Sequence, residues 1–298
     1  LGPIHRTPEQ EARWLSFLAR SEVLFGLDPS HYDDLLQLTP RLRWIQSTSA
    51  GVGQRARSLG LTEADVVLTT ASGIHATALA EFCLMSMLMF VKDAFRIAAG
   101  QKRKYWERYA GAELWGKTLA VIGLGSIGRE VARVGRCLGM RAIGTKRTTE
   151  GVDPESLGVE ALYAWTDLGP MLAEADFVVV SCPLTLQTER LLGSVELAAM
   201  KQGSVLINIA RGAIVDEPAL IRALRLGHLG GAALDVTQRE PLPSSSPLWE
   251  MSNVLISPHS GSNVDGENRE LTGLFCDNLR RYLAGQPLRN VLDPARLY

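Results

Sequence analysis

Short strand-like runs of apolar residues recur along the chain, divided by polar, glycine-containing turns and by stretches with helical spacing. Residues 8–20 set Trp14, Leu15, Phe17 and Leu18 at helix spacing and lead into the strand-like Val23-Leu24-Phe25-Gly26. Residues 42–45 and 66–68 are two further apolar runs, stopped by Ser47-Thr48-Ser49-Ala50-Gly51 and by Thr69-Thr70. Together they predict a small open α/β sheet. Residues 77–91 read as a helix that is apolar on nearly every side, which suits a domain junction or a subunit contact rather than a wet surface.

A more regular alternation begins at Thr118. A strand over residues 119–122, a glycine turn and a helix over 126–138 are followed by strands over 141–144, 177–181, 205–209, 232–236 and 254–256, with helices between several of them. Six parallel strands with helical crossovers predict a doubly wound sheet. The proline-rich stretch from Pro241 to Pro247 reads as a surface loop. Residues 270–284 place Leu271, Leu274, Phe275, Leu279, Tyr282 and Leu283 at helical spacing, and this helix is expected to return to the first domain.

Composition narrows the partners. Lys and Arg total 31 against 32 Asp and Glu, so no global field draws the chain to nucleic acid or an anionic membrane. The most apolar run, residues 82–91, is far shorter than the roughly 20 residues of a membrane span. Cys83, Cys137, Cys182 and Cys276 stand far apart, without the close pairs of a zinc site or redox dithiol, and read as reduced structural thiols. No metal site is expected. No charged segment followed by an apolar core opens the chain, so a cytoplasmic protein with a small-molecule ligand is the expectation.

Val121-Ile122-Gly123-Leu124-Gly125-Ser126-Ile127-Gly128 is a G-x-G-x-x-G turn set directly between a strand and a helix. Gly123 allows the tight turn, Gly125 lets a pyrophosphate approach the backbone, and Gly128 lets the helix close on the strand, while Ser126 and Ile127 open a helix whose amides and dipole attract phosphate. This predicts dinucleotide binding. Twenty-two residues beyond Gly123, where an NAD site carries an acid for the ribose 2′-hydroxyl, the chain has Thr145-Lys146-Arg147. A hydroxyl and two cations suit a 2′-phosphate, so NADP(H) is favoured over NAD(H).

Three later segments each carry a reactive residue just past a strand end, the edge at which open α/β sheets bind ligands. Residues 205–212 deliver Arg211, residues 232–236 lead to Glu240, and residues 254–259 deliver His259. Singly, each has an ordinary reading as an ion pair, a solvated acid or a turn. Successive placement after a dinucleotide turn lets an arginine, an acid and a histidine converge. His259 suits general acid work in reduction and general base work in oxidation, because imidazole titrates near neutrality. Arg211 offers a rigid fork of donors for a carboxylate. His5, His31 and His228 lack such a setting and read as surface residues, and His75 as a structural polar residue.

These stretches, with Ser49-Ala50-Gly51-Val52-Gly53, Leu114-Trp115-Gly116-Lys117-Thr118, Pro183-Leu184-Thr185, Leu234-Asp235-Val236, Glu240-Pro241-Leu242 and Pro258-His259, resemble the D-isomer-specific 2-hydroxyacid dehydrogenases over residues 43–291. The resemblance implies hydride transfer between NAD(P)H and a small 2-oxo or 2-hydroxy acid of the glyoxylate or hydroxypyruvate type. It implies Arg211, Glu240 and His259 as the catalytic set, with Glu240 on the second ring nitrogen of His259. It further implies that Arg211, His259 and the amides of Val52 and Gly53 receive the substrate, that Asp235 lies near the nicotinamide carboxamide, and that Cys182, Pro183, Thr188 and Ala210 touch the cofactor. A homodimer through the cofactor domain is implied, and Tyr105, Trp106 and Tyr109 read as contact surface.

The expected architecture is a doubly wound Rossmann domain over residues 95–267 and a smaller flavodoxin-like α/β substrate domain over 1–94 and 268–298, with a cleft between them. Two departures from the family pattern stand out. Only about twenty residues precede Val23, where the family has a strand and helix, and truncation and real loss both fit, since the chain opens on Leu1. Ser260-Gly261-Ser262 replaces the more usual apolar residue and glycine after His259. The rival readings are a dinucleotide-sensing, corepressor-like interaction protein on the same fold, and a different Rossmann enzyme such as a thioether hydrolase, which would not need the His–Glu pair.

Overall fold

The computed structural model describes residues 5–298. Along the chain run α1 (Pro8–Leu18), β1 (Val23–Phe25), α2 (Leu35–Leu38), β2 (Trp44–Gln46), α3 (Gly53–Ser58), β3 (Val67–Thr69), α4 (Ala76–Val91) and α5 (Ala94–Arg103). Then follow β4 (Thr118–Ile122), α6 (Ser126–Cys137), β5 (Arg141–Lys146), β6 (Ala161–Ala164), α7 (Gly169–Glu174), β7 (Phe177–Val180) and α8 (Ser194–Ala199). The chain ends with β8 (Val205–Asn208), α9 (Glu217–Arg225), β9 (Gly231–Leu234), β10 (Val254–Ile256) and α10 (Glu267–Leu283). Among the described residues no helix is long and apolar enough to cross a membrane.

The chain forms two compact units, one reaching to Ile74 and resuming at Asp265, the other spanning His75–Val264. The larger unit holds a seven-stranded sheet in the order β10-β9-β8-β7-β4-β5-β6, all pairs parallel. The chain moves outward from β4 in one direction and then, from β7, in the other, the arrangement of a doubly wound dinucleotide fold. β4, β7 and β8 are buried at every position, as strands covered on both faces must be, and β-branched residues dominate them. Each fully buried Val, Leu or Ile contributes about 1.5–3 kcal/mol, so these central strands are firm supports for the loops at their ends.

Helix α6 turns Val131, Ala132 and Gly135 inward and Arg129, Arg133 and Arg136 outward. A Cβ on Gly135 would stand 2.6 Å from Leu119 Cδ2, so this glycine allows the helix to lie close on β4.

The seventh strand, β6, is an addition to the six expected. It is short, lies at the sheet edge and is only half-buried, so neither an apolar run nor a clean alternation announces it. The division at Ile74 also falls earlier than the expected boundary at residue 94. The reason is α4: Leu79, Ala80, Phe82, Cys83, Met87 and Val91 join the core of the larger unit with Leu119, Val121 and Ile207. All-round apolarity foretells burial but does not say against which sheet.

The smaller unit carries a three-stranded parallel sheet in the order β1-β2-β3. Trp44, fully buried at its centre, stacks on Phe275 and Tyr282 of α10 at centroid separations of 5.5 and 5.6 Å. α10 does return to this sheet, as its spacing predicts. Asn278, fully buried on α10, donates to Gln46 Oε1 at 3.0 Å and to the Arg289 carbonyl at 3.2 Å, and accepts from the Arg289 amide at 2.8 Å. Thr69 donates its hydroxyl to the same Gln46 oxygen at 2.8 Å, and Trp44 Nε1 donates to Thr69 at 2.9 Å.

Two histidines expected at the surface are partly buried instead. His31 lies between Glu11 of α1, 2.6 Å from Nε2, and Asp34, 3.1 Å from Nδ1. His228 buries its Nε2 at the turn between α9 and β9. His75, at the start of α4, is buried.

Candidate active site

Every element of the candidate site in the larger unit lies at the carboxyl edge of the seven-stranded sheet. Read along that edge, β10 ends at the His259 loop, β9 leads to Asp235 and Glu240, β8 to Arg211, β7 to Cys182, β4 to the glycine turn, and β5 to Lys146 and Arg147.

The glycine turn is shaped by contacts that a side chain would prevent. Gly123 takes φ +101°, and a Cβ there would come within 2.7 Å of the Cys182 backbone. A Cβ on Gly128 would overlap the Gly123 carbonyl. Gly125 differs: nothing lies within 4 Å of where its Cβ would stand, and no side chain caps the N-terminus of α6. Open space beside uncapped amides and a helix dipole fits a diphosphate. The turn is braced from both sides, because Ser181 donates to the Gly123 carbonyl at 2.8 Å and Thr145 accepts from Gly123 N at 3.3 Å.

Thr145 is buried, and through that bond its hydroxyl holds the turn. Lys146 is half-buried and Arg147 exposed, at the end of β5. Ser126 is exposed and Ile127 half-buried at the first turn of α6. Burial pushes the Cys182 thiol up to about 12, so it is an unreactive wall of the turn. Thr188 closes the adjoining loop, donating to the Pro183 carbonyl at 2.7 Å and accepting from Thr185 N at 2.7 Å.

Arg211 emerges from β8 through a turn clamped by Asn208, which sequence reading passes over. Asn208 Oδ1 accepts from the amide of buried Ala210 at 3.1 Å, and its Nδ2 donates to the Arg211 carbonyl at 3.1 Å. A Cβ on the next residue, Gly212, would overlap the Thr237 carbonyl, so this turn is pressed against the loop that carries Glu240. Arg211 donates to the Ala210 carbonyl at 2.7 Å. Burial holds its guanidinium below the ordinary value, opposed by the negative charge of Glu240. A partly desolvated guanidinium is screened less by water than an exposed one, which strengthens its attraction for an incoming anion, while the charge of Glu240 offsets part of that gain.

Glu240 Oε2 stands 2.8 Å from His259 Nδ1, and its other oxygen accepts from the Thr237 amide at 3.2 Å. With Nδ1 directed at a carboxylate, Nε2 is the ring nitrogen left to exchange a proton with substrate. Asp235 is buried, and its Oδ1 accepts from Ser257 Oγ at 2.6 Å, Ser260 N at 2.9 Å and Gly261 N at 2.8 Å. Thus Arg211, Glu240 and His259 form one electrostatically coupled set on three adjacent strands.

In the smaller unit, Val52 and Gly53 lie at the start of α3, both buried. Gly53 packs under the Leu297 carbonyl, which a Cβ would overlap. Ser47 steadies the approach to this turn, accepting from Ser49 N at 3.0 Å.

The model of the D-isomer specific 2-hydroxyacid dehydrogenase NAD-binding domain matches residues 84–261. The chain is 32% identical to the glyoxylate reductase of Aeropyrum pernix over 94% of its own length and 85% of that protein's. It is 32% identical to the D-3-phosphoglycerate dehydrogenase of Methanocaldococcus jannaschii over 87% of its length, but spans about half of that longer protein (49%). Among solved structures it resembles the D-isomer specific 2-hydroxyacid dehydrogenase of Xanthobacter autotrophicus Py2 in complex with NADPH and MES, with a TM-score of 0.81 and 32% identity over 93% of this chain and 86% of that one. The chain belongs to the D-isomer-specific 2-hydroxyacid dehydrogenase family. Membership makes it an oxidoreductase of the 2-hydroxyacid dehydrogenase class with a nicotinamide dinucleotide as its cofactor.

Proposed function

We propose that this protein reduces a small 2-oxo acid of the glyoxylate or hydroxypyruvate type to the D-2-hydroxy acid, with NADP(H) preferred over NAD(H). The observation that carries the reading is the 2.8 Å approach of Glu240 Oε2 to His259 Nδ1, with half-buried Arg211 coupled to the same carboxylate. The intact Arg, Glu and His set argues against a sensor or corepressor, and turnover separates the two readings.

A nicotinamide bound along the carboxyl edge of the sheet supplies the hydride for reduction and accepts it in the reverse direction. His259 Nε2 gives a proton to the carbonyl oxygen as it becomes an alkoxide, and takes it back in oxidation. Glu240 fixes the tautomer and the direction of the ring, so that Nε2 faces the substrate. Arg211 pairs with the substrate carboxylate and polarises the carbonyl through its second donor. In the smaller unit the amides of Val52 and Gly53 suit a carboxylate.

The preference for NADP(H) rests on Lys146 and Arg147 standing where an NAD site has an acid, and the Xanthobacter relative was solved with NADPH. Cofactor contacts follow from Gly123, Gly125, Ser126, Ile127 and Gly128 at the phosphates, and from Pro183, Thr188 and Ala210 near the ring. A homodimer is part of this reading, joined through the face that carries Tyr105, Tyr109 and the 94% exposed Trp106.

The deciding experiment is a steady-state panel of glyoxylate, hydroxypyruvate and larger 2-oxo acids with NADPH and with NADH. Turnover highest for the two- and three-carbon acids with NADPH is expected. Absence of turnover with every 2-oxo acid, despite nucleotide binding, would overturn the reading.

A further inference from the structure

The polar groups around His259 point to a task for Asp235 other than touching the cofactor. His259 takes φ +54°, a left-handed conformation that costs a non-glycine residue of order 1–3 kcal/mol unless its surroundings enforce it. Nothing in the ring's bond to Glu240 enforces a backbone angle. The backbone is instead held around Asp235: His259 N donates to the Asp235 carbonyl at 2.9 Å and is shared with the Ser257 carbonyl at 3.0 Å, while the Asp235 carboxylate gathers Ser257 Oγ, Ser260 N and Gly261 N on a single oxygen. The loop therefore wraps the aspartate on both sides of the histidine.

Two further facts fit that arrangement. Asp235 is only 2% exposed, so its carboxylate meets these donors rather than water. A Cβ on Gly261 would lie 3.0 Å from the carboxyl carbon, so the loop returns as close to the aspartate as a backbone can.

We infer that Asp235 is a positioning residue for His259: its carboxylate clamps residues 257–261 and thereby aims the imidazole at Glu240 and at the substrate carbonyl. This rests on the proposed role of His259 as proton donor. A carboxylate holding a proton donor in line acts on the chemical step, because a displacement of about 1 Å can cost a hundredfold in rate. A residue that merely held the nicotinamide carboxamide would act on cofactor affinity.

The test compares Asp235→Ala, Asp235→Asn and Gly261→Ala with the wild type, measuring kcat, NADPH affinity by fluorescence titration, and the ring signals of ¹⁵N-labelled His259. Asp235→Ala is expected to lose about 100-fold in kcat with NADPH affinity within about twofold. Asp235→Asn, whose amide oxygen still accepts, recovers most of that loss. Gly261→Ala pushes the loop away from the carboxylate and falls between the two. In Asp235→Ala the downfield proton of the Nδ1–Glu240 hydrogen bond disappears, and in Asp235→Asn it returns.

Kcat of Asp235→Ala within about threefold of the wild type, or NADPH affinity falling in step with kcat in both Asp235 variants, overturns the inference. Should Asp235→Ala not fold, Ser257→Ala with Gly261→Ala carries the same comparison. A wild-type enzyme inactive on every 2-oxo acid would sink the proposed function. The histidine spectra would still decide the clamp: a signal unchanged in Asp235→Ala refutes it.

Discussion

Asn278 of α10 donates to Gln46 Oε1 of β2 across 3.0 Å, joining residues 232 positions apart in sequence at the buried centre of the small sheet. The same asparagine satisfies both backbone groups of Arg289. Asn278→Leu should therefore destabilise the fold by about 1–3 kcal/mol for each buried group it leaves unpaired. The midpoint of urea unfolding measures this, and an unchanged midpoint would mean that water replaces the lost partner at no cost.

His259→Gln should lower kcat by about 10²–10⁴-fold, since a glutamine can fill the space but cannot deliver a proton. NADPH affinity should stay within about twofold, because the ring stands past the end of β10, against Glu240, and the glycine turn lies at the end of β4. Equal turnover in the mutant would remove histidine from the chemistry.

The two glycines of the cofactor turn should fail in opposite ways. Gly125→Ala meets no neighbour in the folded chain, so its thermal midpoint should match the wild type while NADPH binding weakens by an order of magnitude or more. Gly128→Ala drives a methyl into the Gly123 carbonyl and should lower the midpoint itself. Intact NADPH affinity in Gly125→Ala would show that no phosphate approaches there.

Arg147→Ala should weaken NADPH about 10- to 100-fold and NADH hardly at all, the amount expected from losing one or two charge-assisted hydrogen bonds to a phosphate. Titration of both nucleotides against wild type and mutant gives the ratio. An unchanged ratio would reassign the cofactor preference to other groups.

His31 makes the attachment of α1 pH-dependent. Burial alone would lower its pKa, but the hydrogen bonds and charges of Glu11 and Asp34 prevail and raise it above the ordinary value. A raised folded value means that the imidazolium stabilises the protein fully below the unfolded pKa of about 6.5, and that this contribution fades as pH rises through the folded value. The thermal midpoint of wild type should exceed that of His31→Asn most at mildly acidic pH, and the gap should close on the alkaline side. A gap independent of pH would assign the contact to packing alone.

Much of this molecule could be read from the chain because its signals are local. β4, the glycines and α6 follow one another within twenty residues, and Arg211, Glu240 and His259 each sit a few positions past a recognisable strand. The rest depends on distant partners. No spacing announces that the Thr145 hydroxyl braces Gly123. Asn208 and Asn278 are ordinary polar letters until their carboxamides meet backbone groups that no periodicity foretells. The left-handed turn at His259 and the donors gathered by Asp235 arise only when residues 235 and 257–261 are brought together by the pairing of β9 with β10.

Gly212 wedges the Arg211 turn against Thr237 with no room for even a methyl group. The backbone turns that carry the guanidinium and the carboxylate of Glu240 are consequently packed together as one block. Evolution toward a bulkier or differently charged acid would have to leave that block alone and remodel the walls facing it, so relatives with altered tastes should differ at side chains around the substrate tail while keeping this glycine.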